Sequence, residues 1–150
     1  MAEKPRDPEF DSRVRASFER QAAMTMMGAT LARVDPGEVA IDIAFRPDLT
    51  QQHGFLHAGI TTSVMDTACG YAALSLMDPG TAVLSIEFKV NLLAPARGER
   101  FQATGRVIRS GRTVTIVAGE FHVVDPGERT LVAVMTATMM TVRDRPELSD

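Results

Sequence analysis

The sequence predicts an α+β domain: an antiparallel sheet of about six strands curved around one apolar helix, with a further helix ahead of it. Three observations carry this. The order of elements reads as helix, two strands, helix, four strands, without the strand-helix alternation that builds parallel sheets. Residues 58–77 hold a single charge, Asp66, so the helix they form has no polar face and must be surrounded. After residue 80, strand-like runs are cut by turn signals at Pro95 with Gly98, Ser110-Gly111 and Asp125-Pro126-Gly127.

Each element has its own signature. Residues 1–8 and 143–150 are charged and proline-bearing, and both read as flexible tails around one domain over 9–142. "EFDSRVRASFERQAAMTMMGA" reads as one helix, with Phe10, Val14, Phe18, Ala22 and Met26 at four-residue spacing and Gly28 as its C-terminal cap. Met24, Met26 and Met27 read as flexible core filler. Two strands follow around Asp35-Pro36-Gly37, the second alternating Val39, Ile41, Ile43 and Phe45 against Ala40, Asp42 and Ala44. Residues 46–57 form a polar loop. The helix over 58–77 is closed by Asp78-Pro79-Gly80, and strands are expected at about 82–93, 100–109, 112–124 and 130–142.

Composition narrows the function. With 45% hydrophobic and 23% charged residues, the 150-residue chain is long enough to bury a sizeable core. A net charge of −3 and the lack of a basic run argue against a nucleic-acid binder. One cysteine excludes an internal disulfide and a multi-cysteine zinc site, which fits a reducing compartment. The start of the chain lacks the apolar core of a secretory signal, and the glycines and hydroxyls around Asp66 disqualify 58–77 as a membrane span. A cytoplasmic location, with no membrane partner, is the expectation.

The chemistry concentrates in "QQHGFLHAGITTSVMDTACGYAA", residues 51–73. An ionised carboxylate in so apolar a stretch is costly unless a partner or a task compensates, which marks Asp66 as a candidate base or nucleophile. His53 and His57 stand four apart, but Gly54 and Gly59 break the helix that a metal pair would need, and no third ligand is near. The glycines suit another use: a loop entering a helix presents free N–H groups and the positive end of the helix dipole to a carbonyl oxygen. His57 and Asp66 are nine residues apart, which on a helix is about 13 Å and about 180°. They face opposite ways on one chain, so a site using both needs two subunits related by a two-fold axis.

These residues resemble the signature of the hotdog-fold acyl-CoA thioesterases, specifically the phenylacetate-pathway type of the 4-hydroxybenzoyl-CoA thioesterase superfamily. The pattern is an Asn, a Gly, then His-Gly-Gly entering the central helix, with Asp nine residues after the His; "SIEFKVNLLAPA" (85–96) resembles the strand that follows. The resemblance covers about 28–142 in element order. It implies that Asp66 is the catalytic carboxylate, that His57 orients the thioester, that the Ala58 N–H polarises its carbonyl, and that Ser85 helps to hold the attacking water. It implies a CoA thioester as substrate and no separate cofactor, and dimers paired into tetramers.

Two positions depart from the pattern. Gln51 stands where the family has Asn, and Ala58 replaces the first Gly of the pair, keeping an N–H but tolerating fewer backbone conformations. Gly59 belongs with the substrate-binding turn. CoA is polyanionic and the chain acidic, so local cations are needed; Arg109 and Arg112 around Gly111, with Arg106 nearby, are candidates for phosphate contact. Cys69 reads as a small core residue and His122 as structural. The alternatives to a thioesterase of aryl-acetyl or short to medium acyl-CoA are a hotdog hydratase or dehydratase and a non-catalytic acyl-CoA-binding module. Asp48, five residues before His53, lacks the Asn-Pro that the hydratase motif carries between such a pair.

Overall fold

The central helix, α3 (Ala58–Leu74), is buried on nearly every side from Val64 to Leu74. In the computed structural model, which describes residues 3–148 and Asp150, six strands form one antiparallel sheet around it. They are β1 (Thr30–Asp35), β2 (Glu38–Ala44), β3 (Ala82–Leu92), β4 (Arg100–Ser110), β5 (Val114–Asp125) and β6 (Glu128–Val142). The sheet order is β1-β2-β4-β5-β6-β3, so the chain leaves β2, runs through α3 and re-enters at the far edge as β3. This is the hotdog fold.

Contact between α3 and the sheet depends on two glycines. Gly105 and Gly119 are paired directly across β4 and β5. A β-carbon on Gly105 would lie 2.5 Å from the Ala68 carbonyl oxygen, and one on Gly119 would lie 2.9 Å from Cys69 Sγ. At Gly105 backbone therefore meets backbone, and at Gly119 the missing side chain makes room for the Cys69 sulfur.

The N-terminal helix of the sequence reading is two helices in the structure. α1 (Phe10–Glu19) stops and α2 (Ala22–Met27) restarts, with Gln21 extended (ψ 94) between them. The apolar spacing runs on through the break. What interrupts the helix is the Gln21 side chain, which bonds Thr67 and Tyr71 on α3. Gly28 caps α2 in the left-handed conformation, φ 71, as expected. Met24 and Met27 are core residues, but Met26 is 62% exposed and fills nothing.

α3 also ends three residues earlier than its composition suggests, at Leu74. Its last turn lacks a basic residue of its own. Arg13 of α1 serves instead, donating to the Leu74 and Asp78 carbonyls at 3.0 and 2.9 Å while paired at 2.9 Å with Asp7. Further along, Arg143 pairs with Asp78, and the Asp150 carboxylate accepts from Ser17 Oγ and from the Val83 N–H. The remaining strands fall where their turn signals put them, within two residues at most ends. Among the described residues no helix is long and apolar enough to cross a membrane.

β3 is an edge strand, and a bulge at Ile86 shifts its register between Ser85 and Glu87. The shift leaves Ser85, Phe88, Val90 and Leu92 opposite Met139, Ala137, Met135 and Ala133, all on the helix side of the sheet. Leu84, Ile86, Phe88 and Leu92 are 45–57% exposed.

The glycine pair gives a direct test. Gly105→Ala forces a methyl group into the backbone of α3 and should destabilise the fold by ~3 kcal/mol, the upper range for overpacking. Urea unfolding followed by circular dichroism measures it; a midpoint equal to the parent's would show that the helix does not sit on this strand.

Candidate active site

The α3 N-terminus is built around His57. Its backbone is extended, and its Nδ1 accepts the Gly59 N–H at 2.8 Å, so the imidazole is the N-cap of the helix. A neutral ring bonded this way carries its proton on Nε2, which faces outward as a donor. Glycine at 59 follows from the same contact: a β-carbon there would stand 3.0 Å from Nδ1. The Gly59 N–H, expected to serve a ligand, is therefore taken by His57. The Ala58 N–H remains without an acceptor among the described residues, at the positive end of the helix.

The loop before it is a tight unit. Thr50 bridges Leu56, Gly54 turns with φ 84, and Gln51 Oε1 accepts the N–H groups of His53 and Phe55. Gln51 thus shapes its own loop through its amide oxygen and leaves the amide NH₂ open. Gln51, Phe55 and Ala58 line a largely apolar cleft of about 460 Å³, closed on the other side by Leu92, Leu93 and Val132. Arg97 lies over the Phe55 ring, 5.7 Å from its centre, at the same cleft. Sequence reasoning passed over Arg97 because it sits in the Pro95–Gly98 turn and belongs to no pattern.

Asp66 lies elsewhere. It is half-buried rather than enclosed, and opens on a second cleft of about 370 Å³ with Gln21, Thr67, Tyr71, Val83, Ser85 and Asp150. Ser85 Oγ donates to Asp66 Oδ1 at 2.6 Å and also touches Met139 Sδ at 3.2 Å. That leaves Oδ2 of Asp66 free for another donor. Burial pushes the Tyr71 hydroxyl above its ordinary value, only partly offset by the hydrogen bond with Ser17, so it stays a neutral phenol.

The two clefts share no residue. The structure brings Ser85 to Asp66 and brings Gln51 and Ala58 together, but does not join the two groups within one chain. Arg109, Gly111 and Arg112 lie at the β4–β5 hairpin, lining neither cleft. Ser110, Thr115, Met139 and Ser85 form one row across four strands, so the hairpin is about 14 Å from Ser85. Gly111 is required there, since a β-carbon would meet the Val114 oxygen at 2.3 Å. The Arg112 carbonyl accepts from Arg143, while the guanidinium groups of Arg109 and Arg112 have no carboxylate partner among the described residues. Arg106 is tied to Glu38. His122 sits on the outer face of the sheet between Arg129 and Glu120, its pKa lowered first by burial and then by Arg129. No group of three or more His, Cys, Asp or Glu among the described residues is arranged to hold a metal.

Cys69 is fully buried, and burial, helped by the Asp66 charge, pushes its thiol up to about 12. At pH 8 the folded protein should release no thionitrobenzoate from Ellman's reagent within minutes, and one equivalent after unfolding in guanidinium. One equivalent released in native buffer would overturn the burial.

The comparisons with known proteins agree with this architecture. The family profile described as the thioesterase superfamily matches residues 53–130, just over half of the 150-residue chain and inclusive of His57, Asp66 and Ser85. A solved thioesterase family protein from Silicibacter pomeroyi is 47% identical and superposes with a TM-score of 0.87, covering 89% of this chain and 98% of that one. The PaaI protein of the phenylacetic acid degradation operon of E. coli superposes at 0.80 over 89% of this chain and 94% of its own, at 21% identity, a likeness of fold alone. The medium/long-chain acyl-CoA thioesterase YigI of Escherichia coli is 31% identical over 98 residues, which are 57% of this chain and 61% of YigI. With the profile spanning just over half of the chain, from the loop before α3 to the start of β6, the chain belongs to the thioesterase superfamily.

Proposed function

We propose that the protein hydrolyses an acyl-CoA to the free acid and CoA, in a site made from the Ala58 cleft of one copy and the Asp66 cleft of a second. One observation carries the reading: the two half-sites sit at opposite ends of one edge strand, whose outer side pairs with no other strand among the described residues. Leu92 lines the first cleft and Val83 and Ser85 the second, about 20 Å apart along β3. Two β3 strands pairing antiparallel about a two-fold axis bring Leu92 of each beside Ser85 of the other. That pairing covers the exposed apolar edge and closes two equivalent sites. We extend the family's further pairing, dimer on dimer, to this chain.

In that arrangement the thioester oxygen lies at the Ala58 N–H and the start of α3, which stabilise negative charge as the carbonyl carbon becomes tetrahedral. His57 Nε2–H is a second donor beside it. Ser85 holds Oδ1 of Asp66, so Oδ2 faces the reacting carbon. As a base it takes a proton from the attacking water; as a nucleophile it forms an anhydride that water opens. Either way the C–S bond breaks, CoA leaves as thiolate and is protonated, and the acyl group departs as carboxylate. This chemistry uses no cofactor beyond the CoA of the substrate. Arg97 at one cleft, and Arg109 and Arg112 near the other, are the cations open to the CoA phosphates. Aryl-acetyl and short to medium acyl groups are the substrate class.

Asp66→Asn removes both the base and the nucleophile while keeping a partner for Ser85, and should lower kcat about a hundredfold or more in a thiol-release assay. Wild-type turnover in this variant would refute the role. Hydration of an enoyl-CoA without thiol release would instead select a hydratase.

Subunit mixing tests the shared site. Asp66→Asn and His57→Ala each disable both sites of a homodimer, but a mixed dimer holds one site with both defects and one with neither. Exchange of the two inactive proteins should restore up to about a quarter of wild-type activity for random pairing. Mass spectrometry of differently tagged chains verifies exchange; exchange without recovered activity rejects the two-chain site.

A further inference from the structure

The cleft beside Asp66 has a wall that hydrolysis itself does not use. Gln21 enters from the break between α1 and α2, Tyr71 and Thr67 from α3, and Asp150 from the far end of the chain, with Ser17 of α1 behind them. Thr67 Oγ1 donates to Gln21 Oε1 at 2.7 Å, and Gln21 Nε2 donates to the Tyr71 hydroxyl at 3.3 Å. Ser17 gives its one proton to Asp150 Oδ1 at 2.8 Å, so in the 3.1 Å pair of Tyr71 and Ser17 the phenol is the donor. The chain of bonds runs one way, from Thr67 to the carboxylate, and the Val83 N–H fixes the other carboxylate oxygen at 2.9 Å. Ser17, Thr67 and Tyr71 are buried, which holds the wall in place. One donor is left over: the second N–H of Gln21, at the cleft.

We propose, on the reading of this protein as an acyl-CoA hydrolase, that this wall makes the Asp66 cleft an acyl subsite for short groups ending in a neutral hydroxyl, with Gln21 and Asp150 as its specificity-determining residues. A hydroxyl accepts from the free N–H of Gln21 and donates to Asp150. Asp150 keeps its bonds from Ser17 and Val83 in either case, but a methyl end covers the free N–H of Gln21 without bonding it, and a donor covered and left unpaired discriminates more strongly than any fit of an alkyl chain. A carboxylate end meets the charges of Asp150 and Asp66 in one cleft. Ser17, Gln21 and Asp150 lie outside residues 53–130, so part of the wall comes from segments beyond the region that matches the family.

The experiment compares kcat/KM for 6-hydroxyhexanoyl-CoA, heptanoyl-CoA and 6-carboxyhexanoyl-CoA in wild type, Gln21→Leu and Asp150→Asn, with melting temperatures to verify folding. Wild type should prefer the hydroxyl end over the methyl end by about tenfold, the size expected for one donor left unpaired beneath the acyl chain. Gln21→Leu should erase or invert that ratio. Asp150→Asn, which keeps an acceptor for Ser17 or Val83, should raise the relative rate on the carboxylate-ended thioester by about tenfold. Equal rates on the first two substrates in wild type, or ratios unchanged in both variants, overturn the wall as a selector. Calorimetric binding of the same thioesters to Asp66→Asn separates the two claims. Preferential binding of the hydroxyl-ended thioester with no turnover by wild type rejects the hydrolase reading and leaves the subsite standing. Turnover without preference rejects the subsite and leaves the hydrolase.

Discussion

The distance between α3 and the sheet is the quantity from which the rest of this structure follows. Gly105 and Gly119 face each other on adjacent strands, and Ala68 and Cys69 press on them with nothing between. A helix held this close cannot rotate or slide without driving a side chain into backbone. Its first turn is thereby fixed at one end of β3, and Asp66, two turns further on, at the other. A looser helix packed through large side chains would fill the same volume while leaving both ends free to drift. Close packing of small groups here serves placement as much as stability.

Charge is arranged with similar economy. The helix N-terminus is capped by an imidazole nitrogen rather than a carboxylate, which leaves its positive end uncancelled and its first N–H available. Its C-terminus is neutralised by Arg13, brought in from another helix and steadied by Asp7. An acidic side chain in the first turn would have strengthened the helix and weakened its pull on any carbonyl oxygen or anion placed there. The only carboxylate on α3 sits in mid-helix, out of reach of its own N-terminus.

Much of this was legible in the sequence, and the failures share a cause. The strands follow from turn residues such as Asp35-Pro36-Gly37 and Asp125-Pro126-Gly127, whose conformations are local, and α3 follows from its composition. Ser85 was expected, by likeness to a family, only as a hydroxyl for the attacking water; its bond to Asp66 was not, since nothing in spacing alone links residues 19 apart on a helix and a strand. The break at Gln21 was invisible, because the apolar repeat continues across it and the partners that stop the helix, Thr67 and Tyr71, lie 46 and 50 residues away. Arg13 looked like one more charged position on an amphipathic helix. His57 looked like a catalytic residue only, because histidine is seldom considered as a cap. In each case the missing information was a long-range side-chain contact, which periodicity does not encode.

β3 is an open edge with four large apolar side chains exposed along it. Such an edge invites pairing with any extended chain, and proteins ordinarily guard against it with charges, prolines or a covering element. Here Lys89 and Glu87 are the only charges within the strand. In the shared-site reading the same strand completes the catalytic centre, so a newly made chain is at once inactive and adhesive until it meets a copy of itself. Selection for turnover and selection against clumping then act on one set of residues, and a substitution that blunts the edge to keep the single chain soluble disarms the enzyme as well.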